Sequence, residues 1–200
     1  MKYRGVVLKG GRIYTKYKGK MRLWSPYRSK LAAAMKKGLK NFPFEKTSTI
    51  LYLGAASGTT VSHLSDVCSN GWIFAVEISP RIFRDLLALA EERKNIIPIL
   101  ADARKPEKYG YMVSQVDIIY QDIAQRDQTE ILLKNLQFLK PGGYIFYAIK
   151  TRSIDVSKKP SVVVSEEAKK IKDKIKILEK ISLEPYAKDH YMLVGIKKSE

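Results

Sequence analysis

The sequence predicts an α/β fold built on a parallel sheet, and three observations support this class. Short apolar segments that suit buried strands alternate with segments of helical periodicity along most of the chain. One such segment, residues 50–53, runs directly into a turn with two glycines, Gly54 and Gly58. Acidic residues follow the next two predicted strands, at the edge where open α/β sheets bind ligands. We therefore predict a small basic N-terminal unit with a linking helix over residues 1–45, and a main domain over residues 46–200.

The N-terminal unit is predicted to contain two or three antiparallel strands. Residues 1–24 alternate apolar and polar positions, and Gly10-Gly11 and Lys18-Gly19-Lys20 mark two turns. So small a sheet is stable only when it packs against another domain. A helix over residues 31–40, with Ser29 as its N-cap, is expected to lead into the main domain.

The main domain is predicted to alternate strands and helices. The predicted strands are residues 50–53, 72–76, 96–100, 116–120, 144–149 and 191–196, and the predicted helices are residues 61–67, 81–93, 129–139 and 165–181. Pro141-Gly142-Gly143 is expected to end the third of these helices. Residues 151–160 are expected to form a mobile loop.

The spacing of the glycines decides which ligand suits the turn. Three residues separate Gly54 from Gly58, whereas a dinucleotide fingerprint needs G-x-G-x-x-G and a P-loop needs four intervening residues and then lysine. Glu77 ends the next strand, where a carboxylate can accept hydrogen bonds from both hydroxyls of a ribose. Asp102 follows the third strand and is placed to accept one from an adenine amino group. This pattern predicts an S-adenosylmethionine site; the alternative is a plain Rossmann-like core with solvated loop acids.

The net charge of +17 is concentrated at the two ends of the chain. Residues 1–40 contain 13 Lys and Arg and no acid, residues 41–149 are near neutral, and residues 150–200 contain 13 basic and 8 acidic residues. Basic ends around a neutral core indicate binding of a polyanion. The alternative is the lysine-rich surface of a heat-adapted protein, but its ion-pair networks need charges of both signs. No segment has the amphipathic, aromatic-anchored pattern of a membrane-binding helix, so we expect no membrane partner.

The cysteine content and the terminal segment suggest a compartment. The single cysteine, Cys68, excludes an internal disulfide and suits a reducing environment. No apolar run approaches the roughly 20 residues that span a bilayer. Met1-Lys2-Tyr3-Arg4 lacks the apolar core of a signal peptide. We therefore expect a cytoplasmic protein.

Several motifs occur in the order found in one family. Tyr52-Leu-Gly-Ala-Ala-Ser-Gly-Thr-Thr-Val-Ser-His63 resembles the signature of fibrillarin, the RNA 2′-O-methyltransferase of box C/D ribonucleoproteins. The other matching motifs are Arg28-Ser-Lys-Leu-Ala-Ala33, Asn95-Ile-Ile-Pro98, Asp102-Ala-Arg104, Asp122-Ile-Ala-Gln125, Lys150-Thr-Arg-Ser-Ile-Asp155 and Asp189-His190. The resemblance covers nearly the whole chain and is to the archaeal form, which lacks a Gly/Arg-rich N-terminal extension. Ile78 stands where an aromatic residue is expected, and Arg126 where proline is expected.

The resemblance implies a doubly wound, Rossmann-like class I methyltransferase fold of about seven strands, with the last strand antiparallel. It implies S-adenosyl-L-methionine as the cofactor and expects no metal. The cofactor-binding residues that it implies are Gly54, Ala55, Ser57, Gly58, Thr59, Thr60, Glu77, Ile78, Asp102, Ala103, Asp122, Ile123, Ala124 and Gln125.

The family's catalytic tetrad falls on Lys30, Asp122, Lys150 and His190. In this interpretation Lys150 is the candidate base or proton acceptor; like-charge repulsion from Lys30 acts to lower its pKa, and Asp122 opposes that shift. Asp122 orients the Lys150 ammonium by hydrogen bonding, and His190 completes the polar ring around the substrate hydroxyl. The second histidine, His63, is interpreted as a packing or capping residue.

The implied reaction is 2′-O-methylation of ribose in pre-rRNA and tRNA, at sites chosen by a box C/D guide RNA that pairs with the target RNA. The implied protein partners are a scaffold of the Nop family and a kink-turn-binding, ribosomal-protein-like subunit. Two alternatives stay open, a stand-alone 2′-O-methyltransferase that reads its own RNA and a non-catalytic RNA-binding module on the same fold. The sequence has no recognisable RNA-reading motif, which favours guidance by partners.

Overall fold

The computed structural model describes residues 3–199 and shows two β-sheets in that range. The small sheet has three antiparallel strands, β1 (Val7–Lys9), β2 (Arg12–Tyr17) and β3 (Lys20–Leu23). Its turns fall at the predicted glycines, which confirms the predicted N-terminal hairpins. Met1 and Lys2, part of the segment considered for a signal peptide, lie outside the described residues.

The large sheet has seven strands. They are β4 (Ile50–Leu53), β5 (Ile73–Glu77), β6 (Ile96–Leu100), β7 (Val116–Gln121), β8 (Leu139–Lys150), β9 (Ile175–Ser182) and β10 (His190–Lys197). The spatial order is β6-β5-β4-β7-β8-β10-β9, with β4 to β8 parallel and β10 antiparallel to both of its neighbours. This confirms the predicted α/β class, the count of about seven strands and the antiparallel last strand. The strand order reverses between β4 and β7, which creates a topological switch point.

Six α-helices connect these strands within the described residues. They are α1 (Lys30–Lys36), α2 (Thr59–Val67), α3 (Pro80–Glu92), α4 (Gln128–Asn135), α5 (Thr151–Ile154) and α6 (Pro160–Ile171). Single turns of 3₁₀-helix cover residues 106–108, 110–112 and 136–138. Ser29 is the N-cap of α1 as predicted, since its side chain accepts a hydrogen bond from the Ala32 N–H.

The C-terminal part of the chain differs from the prediction. The sequence predicts one helix over residues 165–181, but α6 ends at Ile171 and β9 begins at Ile175. From residue 175 the chain reads I-K-I-L-E-K-I-S, and pairing with β10 along this whole segment favours a strand over a helix. Residues 151–160 were predicted to be a loop, which is wrong in part, because they contain the short helix α5.

The strand β8 begins earlier than predicted. The sequence predicts helix to residue 139 and a strand from residue 144, whereas α4 ends at Asn135 and β8 starts at Leu139. Pro141-Gly142-Gly143 therefore lies inside β8 instead of ahead of it. The β7–β8 register shifts at this point, and Gly142 has a φ of 73°, which glycine adopts without a steric penalty.

The small sheet shares a hydrophobic core with the large one. Trp24, which follows β3, is fully buried and stacks on His63 of α2, with ring centroids 4.8 Å apart. Thr15 of β2 is 2.7 Å from Nδ1 of His63 and donates a 2.6 Å hydrogen bond to Asp66 of α2. Arg22 and Arg93 both form ion pairs with the same Asp66 carboxylate. His63 is thus a packing residue, as the sequence analysis interprets it.

The buried His63 makes stability depend on pH. Burial and the charges of Arg22 and Arg93 lower the pKa of His63 to about 4, although the charge of Asp66 acts in the opposite direction. In the unfolded chain this histidine has its ordinary pKa of ~6.5. Between pH ~6.5 and pH 4 the unfolded chain therefore holds a proton that the folded chain does not, so stability falls as pH decreases through this range. The expected loss is about 3 kcal/mol.

Urea unfolding of the wild type and of His63→Gln at pH 7 and pH 4.5 measures this contribution. We expect the variant to lose clearly less stability than the wild type between the two pH values. Equal losses in both proteins would show that other groups account for the acid sensitivity.

Candidate active site

A cleft of about 200 Å³ opens at the carboxyl ends of β4, β5, β6 and β7. It lies at the switch point of the sheet, where open α/β folds bind ligands. The residues that line it are Gly54, Ala56, Val76, Glu77, Ile78, Ala101, Asp102, Ala103, Arg104, Asp122, Ile123, Ala124, Gln125 and Ile131. The cleft is therefore where the sequence predicts a cofactor.

Most of the predicted cofactor-binding residues line this cleft, and five do not. The five are Ala55, Ser57, Gly58, Thr59 and Thr60, which lie in the adjoining turn and at the start of α2. Five lining residues were not predicted from the sequence, namely Ala56, Val76, Ala101, Arg104 and Ile131. Four of these have small or apolar side chains, so their only signal in the sequence is their position beside predicted residues.

The glycine turn brings two loops into close contact. Gly54 has a φ of 79°, and a Cβ at this position would lie 2.4 Å from the Asp122 carbonyl oxygen. Only glycine therefore lets the end of β4 pack against the segment that follows β7. The close approach defines one wall of the cleft.

Backbone N–H groups bind both oxygens of the Glu77 carboxylate. The Ala56 N–H donates to Oε2 at 2.9 Å and the Ser79 N–H donates to Oε1 at 2.8 Å. The residue is only 7% exposed, yet it lines the cleft. Each carboxylate oxygen can accept a further hydrogen bond. A diol such as a ribose therefore fits this acceptor.

Asp102 is a second acceptor in the cleft. The Arg104 N–H and Nε–H donate to Oδ1 at 2.9 and 3.2 Å. Partial burial of Asp102 favours the neutral acid, but these hydrogen bonds and the charges of Arg104 and Lys105 together lower its pKa. The carboxylate is thus ionised and suits an amino group as partner.

Lys30 and Asp122 form an ion pair beside the cleft. The Lys30 ammonium donates to Oδ2 of Asp122 at 2.7 Å, and both side chains are 24% exposed. Lys30 is the first residue of α1, where the helix dipole disfavours a positive charge. The partner carboxylate offsets this cost, so the lysine has a defined position.

Lys150 and His190 lie opposite one another on neighbouring strands. Lys150 ends β8 and His190 begins β10, and the two are direct partners in the antiparallel register. Side chains of directly opposed residues share one face of the sheet. The His190 Nδ1–H donates to the Lys188 carbonyl at 2.6 Å, which leaves Nε2 as an acceptor in the neutral ring.

The other three predicted catalytic residues all act on His190 through their charges. Burial lowers the pKa of His190, and the charges of Lys30 and Lys150 lower it further. The Lys188 carbonyl and Asp122 oppose this effect. The imidazole is therefore neutral at neutral pH and within electrostatic reach of the other three residues.

A glutamine that the sequence analysis missed supports Lys150. Gln128 is fully buried; its Oε1 accepts from the Lys150 N–H at 3.2 Å and its Nε2 donates to the Lys150 carbonyl at 3.3 Å. The same Nε2 donates to the Gln125 carbonyl at 2.8 Å. The sequence analysis expects Asp122 to orient Lys150, but the hydrogen bond of Asp122 in the structure is to Lys30. Lys150 is instead fixed through its backbone.

Two kinds of feature are absent from residues 3–199. No group of three or more His, Cys, Asp and Glu side chains in that range is arranged to hold a metal ion. Over the same residues, no helix has the length and apolar character needed to cross a membrane.

Comparison with known proteins adds independent information. The Fibrillarin family model matches residues 4–199. A curated relative from Thermococcus sibiricus, named fibrillarin-like rRNA/tRNA 2′-O-methyltransferase, is 51% identical over 187 residues, which cover 92% of this chain and 83% of the relative.

Two solved structures match nearly the full length. A fibrillarin/Nop5p complex matches with a TM-score of 0.92 and 44% identity, covering 98% of each chain. An Aeropyrum pernix fibrillarin in complex with natively bound S-adenosyl-L-methionine matches with a TM-score of 0.87 and 44% identity, covering 97% of this chain and 95% of that one.

Proposed function

This chain belongs to the fibrillarin family, and we propose on that basis that it is an S-adenosyl-L-methionine-dependent enzyme that methylates the ribose 2′-hydroxyl in rRNA and tRNA. The observation that carries the proposal is the Lys30–Asp122 ion pair at the edge of the cleft, within electrostatic range of His190 and of its strand partner Lys150. A non-catalytic module would not need such a group of charged side chains beside a ligand cleft.

The cleft fits S-adenosyl-L-methionine by the chemistry of its lining. Glu77 offers two oriented acceptors for ribose hydroxyls, and Asp102 offers an acceptor for the adenine amino group. Apolar side chains at Ile78, Ile123 and Ile131 line the walls, as a flat base requires. A natively bound S-adenosyl-L-methionine in the Aeropyrum pernix fibrillarin supports the same assignment.

The reaction requires little covalent chemistry from the protein itself. When bound, the cofactor supplies a methyl group bonded to a sulfonium sulfur, and that sulfur is already a good leaving group. The protein must hold the 2′-hydroxyl in line with that methyl and remove its proton. Lys150, at the end of β8, is the proposed proton acceptor.

The other three residues shape the place where the hydroxyl lies. Asp122 offsets the positive charge of Lys30, so this pair adds no net charge to the site. His190 is neutral and presents Nε2 as an acceptor, because its Nδ1–H is donated to the Lys188 carbonyl. These groups form a polar ring that can orient the 2′-hydroxyl by hydrogen bonding.

Partners supply what the chain lacks. The chain binds a scaffold protein of the Nop family, as the matching fibrillarin/Nop5p complex supports. A guide RNA paired with the target RNA, and a kink-turn-binding subunit, complete the proposed particle.

The basic ends of the chain attract phosphates regardless of sequence, so they cannot choose one ribose among many. A guide–target duplex presents its 2′-hydroxyls on a wide, shallow minor groove, where an enzyme positioned by its partners can reach one of them.

The isolated chain is expected to bind S-adenosyl-L-methionine but to methylate RNA poorly and without site preference. Adding the guide RNA and both protein partners should produce methylation at one nucleotide. Calorimetry measures the first result, and mapping of methylation sites on a target RNA measures the second. A guide whose pairing segment is shifted by one nucleotide serves as the control, because the methylated position should shift with it.

Two other results would contradict this proposal. Efficient methylation at a single position by the purified chain alone, persisting at about 0.2 M salt where non-specific binding weakens, would favour the stand-alone enzyme. Failure to bind the cofactor at all would favour the non-catalytic module.

A further inference from the structure

The hydroxyl of Thr60 has a partner outside the cleft. The sequence analysis places Thr60 among the cofactor-binding residues, yet its Oγ1 donates to the Ser29 Oγ at 3.0 Å. Thr60 is 7% exposed and Ser29 is 4% exposed, so this hydrogen bond is shielded from water. Thr60 also does not line the cleft. Its side chain therefore joins the start of α2 to the start of α1.

Ser29 controls where α1 begins. Its Oγ accepts from the Ala32 N–H, and its carbonyl accepts from the Ala33 N–H at 2.9 Å. The next residue is Lys30, whose ammonium is paired with Asp122 at 2.7 Å. Any rotation of the Ser29 side chain would change the helix cap, and with it the backbone position from which the Lys30 side chain extends.

Thr60 also lies close to β4. Its side chain interacts with the Tyr52 hydroxyl, and burial raises the pKa of Tyr52, so the phenol stays protonated. Because α2 begins directly after the glycine turn, the Thr60–Ser29 hydrogen bond connects the cofactor side of the site with the residue that precedes Lys30.

We propose that Thr60 is a positioning residue, whose hydroxyl sets Ser29 and thereby holds Lys30 against Asp122. This inference rests on the proposed methyltransferase function and deepens it. Thr60 acts through Lys30 and does not contact the reacting atoms. Without the hydroxyl, Lys30 loses its fixed origin, and a misplacement of about 1 Å in such a site can cost on the order of 100-fold in rate.

The test compares Thr60→Val, which keeps the shape and removes the hydroxyl, with Thr60→Ser, which keeps the hydroxyl. Single-turnover methyl transfer is measured in the assembled particle with saturating S-adenosyl-L-methionine and RNA. We expect the rate to fall roughly 10- to 100-fold in Thr60→Val and to stay within about 3-fold of wild type in Thr60→Ser. The cofactor Kd, measured by calorimetry, should change by less than about 3-fold in both.

Two further variants guard against a purely structural explanation. Thr15→Val removes another fully buried threonine hydroxyl, one that contacts His63 and Asp66 and not the cleft. It should lower the melting temperature and leave the rate unchanged. Ser29→Gly removes the acceptor of Thr60 while keeping a residue that is accepted at an N-cap, so it should reproduce the rate loss of Thr60→Val.

Three results would overturn the inference. A Thr60→Val rate within about 3-fold of wild type would show that the hydroxyl does not position the site. A weaker cofactor Kd with a normal saturated rate would make Thr60 a cofactor-binding residue. Equal losses in Thr60→Val and Thr60→Ser would point to shape and not to the hydrogen bond. An inactive wild-type particle is a different failure, because it would reject the proposed function itself and this inference with it.

Discussion

Lys150→Ala is expected to abolish methyl transfer and to leave the affinity for S-adenosyl-L-methionine nearly unchanged. Lys150 ends β8 opposite His190 and does not line the cleft, so removing its amine takes away the proposed proton acceptor alone. The backbone at this position should stay in place, because Gln128 holds both the N–H and the carbonyl of residue 150. Single-turnover methylation in the assembled particle and calorimetry with the cofactor measure the two effects.

Lys140→Ala is the matched control for this variant. Lys140 is an exposed lysine on the same strand, near its other end, and its partner is Asp117. Its removal should leave both the rate and the affinity as in the wild type. Retained turnover in Lys150→Ala would reject its role as the base. A large loss of cofactor affinity would instead place Lys150 in the cofactor site.

Glu77→Ala is expected to weaken binding of S-adenosyl-L-methionine by roughly 3–6 kcal/mol without altering RNA binding, since two charge-assisted hydrogen bonds to ribose hydroxyls would be lost. The structure adds a second contribution, because the Ala56 and Ser79 N–H groups lose their acceptor as well. Glu77→Gln separates the two contributions in part. It keeps the size of the side chain, but its amide donor would face a backbone N–H.

Calorimetry on Glu77→Ala, Glu77→Gln and Asp85→Ala measures these effects. Asp85 is an exposed acid on α3 and does not line the cleft, so its removal controls for the loss of one negative charge. We expect Glu77→Gln to bind the cofactor more weakly than the wild type and Asp85→Ala to bind it equally well. An unchanged Kd in Glu77→Ala would show that this carboxylate serves only to hold the glycine turn.

The parts of the fold that could be predicted are those with strong local signals. Apolar runs bounded by glycine or by acidic residues identify β4 to β7, and Ser29 identifies the start of α1. Glu77 and Asp102 were found because they follow strands that end at one edge of the sheet. The tetrad needed the family resemblance, since nothing local distinguishes His190 from a structural histidine.

The parts that could not be predicted depend on contacts between distant segments. Residues 175–182 form a strand because β10 is available for pairing, although lysines at helical spacing suit a helix equally well. The contact between Lys30 and Asp122 joins residues 92 positions apart. Gln128 has no motif around it, and only the folded chain shows that its amide bonds to Lys150.

The position of β10 has a consequence for how the enzyme is made. Although β10 follows β9 in the chain, it lies between β8 and β9 in the sheet. It is therefore synthesised after both of the strands that it must pair with, and until it is inserted β8 presents an unpaired edge that invites wrong partners. Lys150 has no histidine opposite it during that interval. A nascent chain can thus complete its cleft before the proposed polar ring around the substrate hydroxyl, which closes only when the last strand enters the sheet.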